Sequence, residues 1–306
     1  WLIHRQEQLG APPAGLARSN GRLELERIDV ATLYPGRVKA VLAEEGDEVR
    51  AGDVLAELSS DTASSRVEAA KAQKQRAQEM SARADAEIKA YEQRLKVAQL
   101  ELDNAQAMRR SELISDSELR KRRAERDSAT AALQAAKAAR AESLAAITAA
   151  SAQMSEAASA NNDMTIRSPK AGRVEYKIAE VGSVIASGSK VVSLLDPSDV
   201  SMNIFLPNRE MSRLKVGDEA RIVLDGIDAV FPAQISFIAT NAQFTPKNVE
   251  TENERAKLMF KIKLKVPAET ALKYQGLLKG GMTGNGYVRV NEQAQWPADL
   301  AVKLPQ

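Results

Sequence analysis

The fold of this chain is decided by residues 36–52, which read GRVKAVLAEEGDEVRAG. The segment recurs 136 positions later, where residues 172–188 read GRVEYKIAEVGSVIASG. Seven residues are identical between the two copies, and three of these are glycines, of which Gly46 and Gly52 fall at turn positions that favour a positive backbone angle φ. The β-branched residues between the glycines favour short strands. The sequence therefore predicts two halves of one compact β unit.

A long helical stretch separates the two copies. No Gly or Pro occurs from Asp53 to Ser168, and the residues are mostly helix formers. Small apolar residues recur in two arms at the spacing of a coiled coil, and the arms are nearly equal on either side of Ser111 to Ser117. We expect an antiparallel hairpin over residues 62–163. The alternative is one continuous helix, which would hold the two β halves about 150 Å apart.

The predicted turn of this hairpin is a candidate docking site. It carries Leu113 and Ile114, two apolar side chains where bare exposure is unusual. Ser115 or Asp116 followed by Glu118 predicts the start of the second arm. The two apolar side chains either plug the end of the hairpin or dock on a partner protein. The candidate docking residues are Met108, Arg109, Arg110, Leu113, Ile114 and Ser115.

The region after the second copy has the pattern of strands. Residues 200–206 and 258–266 alternate between apolar and polar side chains, and further strands are expected near 220–224, 230–239 and 287–290. Five or six such strands with Gly-rich connections predict a small β-barrel. The second alternating segment puts its lysines on one face, which is either solvated or in contact with anionic lipid headgroups. These lysines are Lys261, Lys263 and Lys265.

Composition argues against several classes of function. The 306 residues include 43 basic and 41 acidic ones, for a net charge of +2, and only 4% are aromatic. Neither the basic excess nor the stacking surface of a nucleic-acid-binding protein is present. The chain has no cysteine and one histidine, His4, so thiolate catalysis and histidine-based triads or metal clusters are excluded.

Trp1 and the residues after it indicate either an arbitrary boundary or the outer end of a membrane anchor.

The repeated motif resembles the half-motif of biotinyl and lipoyl carrier domains. Such a carrier holds its modified lysine at a hairpin tip, and this chain has Thr62 at the matching position, in the run Glu57-Leu58-Ser59-Ser60-Asp61-Thr62-Ala63. The chain is also expected to leave this point as a helix. We therefore expect no cofactor, and Thr62 argues against the alternative that the chain is a carrier subunit of an enzyme.

The whole layout resembles the HlyD-type periplasmic adaptors, also called membrane fusion proteins, of tripartite exporters. The resemblance rests on the runs that begin at Tyr34, Ile166 and Leu277, and two further runs, at Asp199 and Gln243, resemble the branch that works with ABC exporters. It implies an α+β fold in which a split lipoyl-like domain carries the hairpin and a β-barrel domain follows. The implied boundaries are 1–17 for a linker after a membrane anchor, 18–29 and 291–306 for a membrane-proximal β region, 30–61 and 164–196 for the lipoyl-like domain, 62–163 for the hairpin, and 197–290 for the barrel.

The resemblance also implies a function. Such adaptors are non-catalytic, lie in the periplasm of Gram-negative bacteria, are anchored to the inner membrane at the N-terminus, and link a transporter to an outer-membrane channel as a homo-oligomeric funnel, a hexamer. Their tips commonly carry Arg, then Leu four residues on, then Ser seven residues later. With Ser115 as the serine, Asn104 and Met108 replace the other two, which leaves the channel partner and the docking geometry open. A cell-envelope tether without a transport partner is the alternative.

Overall fold

The computed structural model describes residues 12–244 and 258–306. The expected membrane anchor near Trp1 and most of the run at Gln243 lie outside these residues. The elements in chain order are β1 (Leu16–Ala31), β2 (Gly36–Val41), β3 (Glu48–Val49), β4 (Val54–Leu58), α1 (Asp61–Arg110), α2 (Asp116–Asn162), β5 (Thr165–Arg167), β6 (Gly172–Lys177), β7 (Val184–Ile185), β8 (Lys190–Pro207), β9 (Glu219–Leu224), β10 (Phe231–Ile238), β11 (Gln243–Phe244), β12 (Leu258–Lys265), α3 (Ala268–Lys273) and β13 (Thr283–Arg289).

The sequence repeat is also a repeat of strand pairing. The pairing of β2 with β7 recurs as β6 with β3, that of β2 with β4 recurs as β6 with β8, and that of β4 with β5 recurs as β8 with β1. The register agrees as well, since Ala56 faces Ile166 in one copy and Val192 faces Val30 in the other. The two halves are therefore related by a pseudo-two-fold axis.

The two halves close each other's turns. The amide of Gly46 donates to the carbonyl of Val174, and the amide of Gly182 donates to that of Val38, both at 2.8 Å. Both glycines have φ near +90°, as the sequence predicted. A single core is shared by both copies, because neither half alone has enough strands to bury two faces. Its buried members are Val30, Val38, Ala43, Leu55, Ala56, Leu58, Ile166, Val174, Ala179, Val191, Val192 and Leu194. The prediction of a split lipoyl-like unit is confirmed.

The inserted segment is an antiparallel helical hairpin, as predicted, and the alternative of one continuous helix is wrong. The arms of 50 and 47 residues are each about 70–75 Å long at about 1.5 Å per residue. Small side chains on the facing sides let the helices approach closely, and larger ones are buried toward the tip, where Leu102 and Leu133 meet the seam. No helix of residues 12–244 and 258–306 has the length and the apolar character that a membrane span requires.

Six strands form the β-barrel. They follow one another around the wall in the order β12, β10, β9, β13, β1 and β8, and the pairing of β8 with β12 closes the ring. The interior is tight, because a Cβ atom on Gly286 would lie 2.7 Å from Leu264 and 2.8 Å from Ile204. The lysine side of β12 faces outward, with Lys261 and Lys263 half-buried and Lys265 exposed.

Two long strands run through both β parts. β1 pairs with β13 and with the far half of β8 in the barrel, and its end pairs with the near half of β8 in the lipoyl-like unit. Residues 18–29 thus lie in the barrel wall and in the connection to the lipoyl-like unit. The C-terminal segment 291–306 packs against the barrel, where Leu300 forms a small cluster with Leu16 and Tyr287 and Leu304 packs against the barrel core. The division into a barrel and a membrane-proximal region stays a prediction.

Candidate docking site at the tip of the helical hairpin

The first arm of the hairpin ends in a defined turn. The amide of Glu112 donates to the carbonyl of Arg109 at 2.9 Å, and the amide of Leu113 donates to that of Met108 at 2.8 Å. These two bonds are those of a Schellman motif, which needs a left-handed residue after the helix. Glu112 takes that conformation with φ of 59°, where glycine is the usual residue. The tip therefore has a defined, hydrogen-bonded backbone conformation.

The second arm begins with a cap and an ion pair. The Oγ of Ser115 accepts from the amide of Glu118 at 3.1 Å, which confirms the predicted N-cap. Arg109 Nε lies 2.6 Å from Asp116 Oδ1 and joins the end of α1 to the start of α2. This hydrogen bond lowers the pKa of the Asp116 carboxyl and raises the pKa of Arg109. The pair fixes the two helix ends to each other.

A second charged cluster lies one to two turns below the tip. Arg122 on α2 contacts Glu101 on α1 at 3.0 Å, and also Glu118 and Glu125 on its own helix at 3.2 and 3.3 Å. Burial lowers the pKa of Arg122, but the three carboxylates outweigh burial and the pKa lies above its ordinary value. This cluster fixes the register of the arms just before the turn.

The apolar side chains of the tip face solvent to different degrees. Leu113 is 71% exposed and Met108 is 44% exposed, whereas Ile114 is half-buried. Leu113 therefore adds little to the hairpin's own burial, while the position of Ile114 also suits a plug. The structure places Met108, Leu113 and Ile114 at the same end of the long helical hairpin. A docking role for these residues stays a prediction.

The polar candidates are placed differently from one another. Asn104 and Met108 lie one turn apart on α1, and both are exposed. Ser115 lies across the turn, where its hydroxyl oxygen is engaged as the cap. Arg110 is exposed, and Arg109 is half-buried in its ion pair.

Thr62, at the carrier-lysine position, is exposed in the first turn of α1. The chain continues from there as a helix, so the hairpin tip that presents a carrier's lysine is not formed. Among the described residues, no three His, Cys, Asp or Glu side chains are grouped as metal ligands would be.

The contribution of the Arg109–Asp116 pair was missed by sequence reasoning, although a signal existed. A basic residue in the last turn of one helix and an acidic residue in the first turn of the next both match the helix dipole. A short turn then brings the two side chains together. The left-handed conformation of Glu112 had no such signal, because glutamate gives no indication of it.

Comparison with known proteins identifies similar chains. The membrane protein YbhG of Salmonella arizonae is 28% identical over 283 residues, which cover 84% of this chain and 85% of that protein. Among solved structures, MacA from Actinobacillus actinomycetemcomitans has a TM-score of 0.59 at 18% identity, over 90% of this chain and 78% of that one. The membrane fusion protein Spr0693 from Streptococcus pneumoniae R6 has a TM-score of 0.53 at 22% identity, over 89% of this chain and 98% of that one. No protein-family model matches the chain.

Proposed function

We propose that this chain is a member of the membrane fusion proteins and acts as a non-catalytic periplasmic adaptor that links an inner-membrane exporter to an outer-membrane channel. In this proposal the exporter is of the ABC type, the N-terminus is anchored to the inner membrane, and several copies, six by resemblance, form a funnel. The tip of the hairpin, with Met108, Leu113 and Ile114 exposed or half-buried, is the contact with the channel.

The observation that carries this proposal is the shape of the hairpin and its end. A rod of about 70–75 Å that ends in a capped, ion-paired turn presents Leu113 at 71% exposure. Exposed apolar side chains at a fixed position are typical of a contact with another protein. Single exposed apolar residues are common on surfaces, so the argument depends on their grouping at the one place most distant from any core of the chain.

The order of the domains supports a bridging role. The described chain enters the barrel at Leu16 with β1, β1 then leads into the lipoyl-like unit, and β4 leads out of that unit into α1. The barrel and the hairpin contact the lipoyl-like unit through different strand pairs, β8 with β1 and β4 with β5. The barrel and the hairpin thus leave the lipoyl-like unit through different strands, which is the connectivity that a bridging adaptor needs.

The non-catalytic role is supported by Thr62 in place of the carrier lysine. A carrier subunit would have a lipoyl or biotinyl adduct, which an intact-mass measurement detects. We expect the mass of the unmodified chain.

The proposal is tested at the tip. Changing Leu113 and Ile114 together to Asp should leave the melting temperature nearly unchanged if the tip is a docking site, because Leu113 is exposed and Ile114 is only half-buried and belongs to no core cluster. Two charges placed in an apolar contact would abolish docking, so export should be lost while the protein stays folded and membrane-associated. The matched control changes Val97 and Leu100, 57% and 60% exposed on the shaft, to Asp.

Three outcomes are distinguishable. Loss of export in the tip variant alone supports the proposed contact. A tip variant that melts well below the unmodified chain shows that the two residues are a structural plug. A tip variant that folds and exports normally contradicts docking through these residues.

A separate experiment tests the alternative of a tether. If no transporter co-purifies with the chain from membranes, the tether is favoured.

A further inference from the structure

The connection between the barrel and the lipoyl-like unit contains an interruption in an otherwise continuous strand pair. On β1, Leu25 and Glu26 are neighbours, but their partners on β8 are Val200 and Asp196. Residues 197–199 therefore have no partner on β1. The interruption lies between the two cores, because Leu194 belongs to the lipoyl-like core and Val200 to the barrel core. A strand pair that is broken at this point is free to bend there unless something holds it.

Asp196 closes the interruption. Its Oδ1 accepts from the amide of Ser198 at 2.9 Å and from the hydroxyl of Ser198 at 2.6 Å. Its Oδ2 lies 2.6 Å from Nζ of Lys170, which also lies 3.4 Å from Glu26 on β1. Asp196 is only 5% exposed, so its charge needs these partners.

Lys170 in turn belongs to the body of the lipoyl-like unit. It lies in the turn between β5 and β6, and Ser168 in that turn exchanges backbone hydrogen bonds with Gly52 and Asp53 of the first copy at 2.8 Å. The Lys170–Asp196 contact thus joins the bend in β8 to a turn that is fixed from two sides. On the barrel side, Lys265 lies 3.7 Å from Asp199 in the same interruption.

The first copy lacks this arrangement. At the offset of 136, Asp196 corresponds to Ser60 and Lys170 corresponds to Tyr34. The surrounding backbone is the same, since Thr32 donates to the carbonyl of Tyr34 as Ser168 donates to that of Lys170, both at 2.6 Å. The ion pair is therefore a departure from the pseudo-symmetry, and it is present only where the barrel leaves the unit.

We propose that Lys170 and Asp196 form a latch that holds the barrel at one angle to the lipoyl-like unit. Lys170 is then a positioning residue, because it acts on the direction of the barrel through Asp196. The latch itself is a property of the chain alone. Its use, to hold a bridge in line between two membranes, rests on the proposed function.

The test measures the angle directly. The chain has no cysteine, so cysteine pairs carry spin labels at chosen exposed sites. One pair, Glu45→Cys with Gln275→Cys, spans the lipoyl-like unit and the barrel. Lys170→Met should at least double the width of the distance distribution of this pair, while Lys170→Arg should keep it narrow. The matched control is Lys177→Met, which removes a surface ion pair with Glu44 at 3.4 Å within the lipoyl-like unit and should leave the width unchanged.

A second variant separates the latch from folding. Lys170→Met leaves the buried carboxylate unpaired and can destabilise the chain for that reason alone. The double variant Lys170→Tyr with Asp196→Ser places the residues of the first copy in the second and leaves no buried charge unpaired, since Glu26, which also loses Lys170, is exposed. A broadened distribution in this folded double variant supports the latch, and a distribution as narrow as that of the unmodified chain overturns it. Both measurements use the isolated chain without a transporter, so failure of the latch is distinguishable from failure of the proposed function.

Discussion

The two ends of the lipoyl-like unit have the same backbone and different side chains. The hairpin leaves after Leu58 and the barrel leaves after Leu194, and these positions are equivalent at the offset of 136. At the barrel end, both strands continue through the junction, and Asp196 is buried against Lys170. At the hairpin end, β4 stops at Leu58 and α1 begins at Asp61 after two intervening residues, and Ser60 makes no side-chain capping bond. The same backbone therefore leads into a junction with a buried ion pair at the barrel end and into a helix without a side-chain cap at the hairpin end.

The two ends of the hairpin also differ in the side chains that join its arms. Its cross-helix ion pairs among the described residues join Arg109 to Asp116, Glu101 to Arg122 and Asp85 to Arg140. All of them lie at Asp85 or farther toward the tip, and no such ion pair joins the described residues of the two arms nearer the base. Bending of the hairpin should therefore concentrate near the lipoyl-like unit, whereas the tip moves as one body. The difference between the ends is one of side-chain chemistry, so it is open to mutation.

The largest expected effect is the removal of the hairpin. No helix residue belongs to the lipoyl-like core, and the amide of Leu58 donates to Met164 at 2.7 Å, so the ends of the insertion are held together without it. Replacing residues 63–163 by a short Gly-Ser turn should remove nearly all helical circular dichroism. It should change the free energy of unfolding of the β part by no more than about 1–2 kcal/mol, since only a loop is shortened.

The readout for this deletion is a cooperative thermal transition monitored in the β-sheet signal. An aggregated or molten product would show that the hairpin end is as integral to the fold as the barrel end. The two ends of the lipoyl-like unit would then not differ in how much the fold depends on them.

A smaller effect is expected when the pH is lowered far enough to protonate Asp196 at the junction with the barrel. Burial raises the pKa of Asp196, but hydrogen bonds from Lys170 and Ser198 outweigh burial, and the pKa lies below its ordinary value of 3.8. A carboxyl with a lowered pKa stabilises the folded state above about pH 4, and this contribution is lost as the pH falls through the folded pKa. Hydrogen bonding to Asp196 raises the pKa of Lys170, so the pair stays charged from pH 5 to pH 9.

The Glu45–Gln275 distance distribution should therefore stay narrow from pH 7 to pH 5 and broaden only below about pH 4. Glu26 and Asp199 face the same junction, so the Lys170→Tyr, Asp196→Ser variant is the control, and its distribution should not depend on pH in this range. Broadening of the unmodified chain near pH 6 would mean that another group holds the junction.

The smallest expected effect is at the base of the hairpin. The last turn of α2 has no basic residue, so the negative end of its helix dipole is not neutralised there. Ser159→Lys, at an exposed position of that turn, should stabilise the base by about 0.3–1 kcal/mol at low salt. Ser155→Lys, about one turn earlier on the same helix, is the control for helix propensity and should gain less.

Hydrogen exchange of the amides in the last turns of α2 measures this change. Equal protection in the two variants would show that the base is already held by contacts that the dipole does not influence.

Much of the fold follows from the sequence because its signals are local or repeated. The matched glycines of residues 36–52 and 172–188 specify equivalent turns, and the absence of Gly and Pro between the copies specifies two unbroken helices. The continuity of β1 was not foreseen, because Leu16–Ala31 has charged residues on a strand that passes from one core to another. The Lys170–Asp196 pair was not foreseen either, since its members lie in separate connections and only the fold brings them together. Of the tip, the cap at Ser115 was predictable, but exposure of Leu113 depends on the turn.

The insertion of the hairpin within one strand pair makes its length independent of the fold. The hairpin is inserted between β4 and β5, which pair with each other. The packing of the two β cores therefore does not depend on the length of its arms. Seven residues added to each arm would preserve the coiled-coil repeat and move the turn about 10 Å outward. The distance from the lipoyl-like unit to the tip is set by the number of residues in the arms. That number is free to change during evolution while the β parts stay the same.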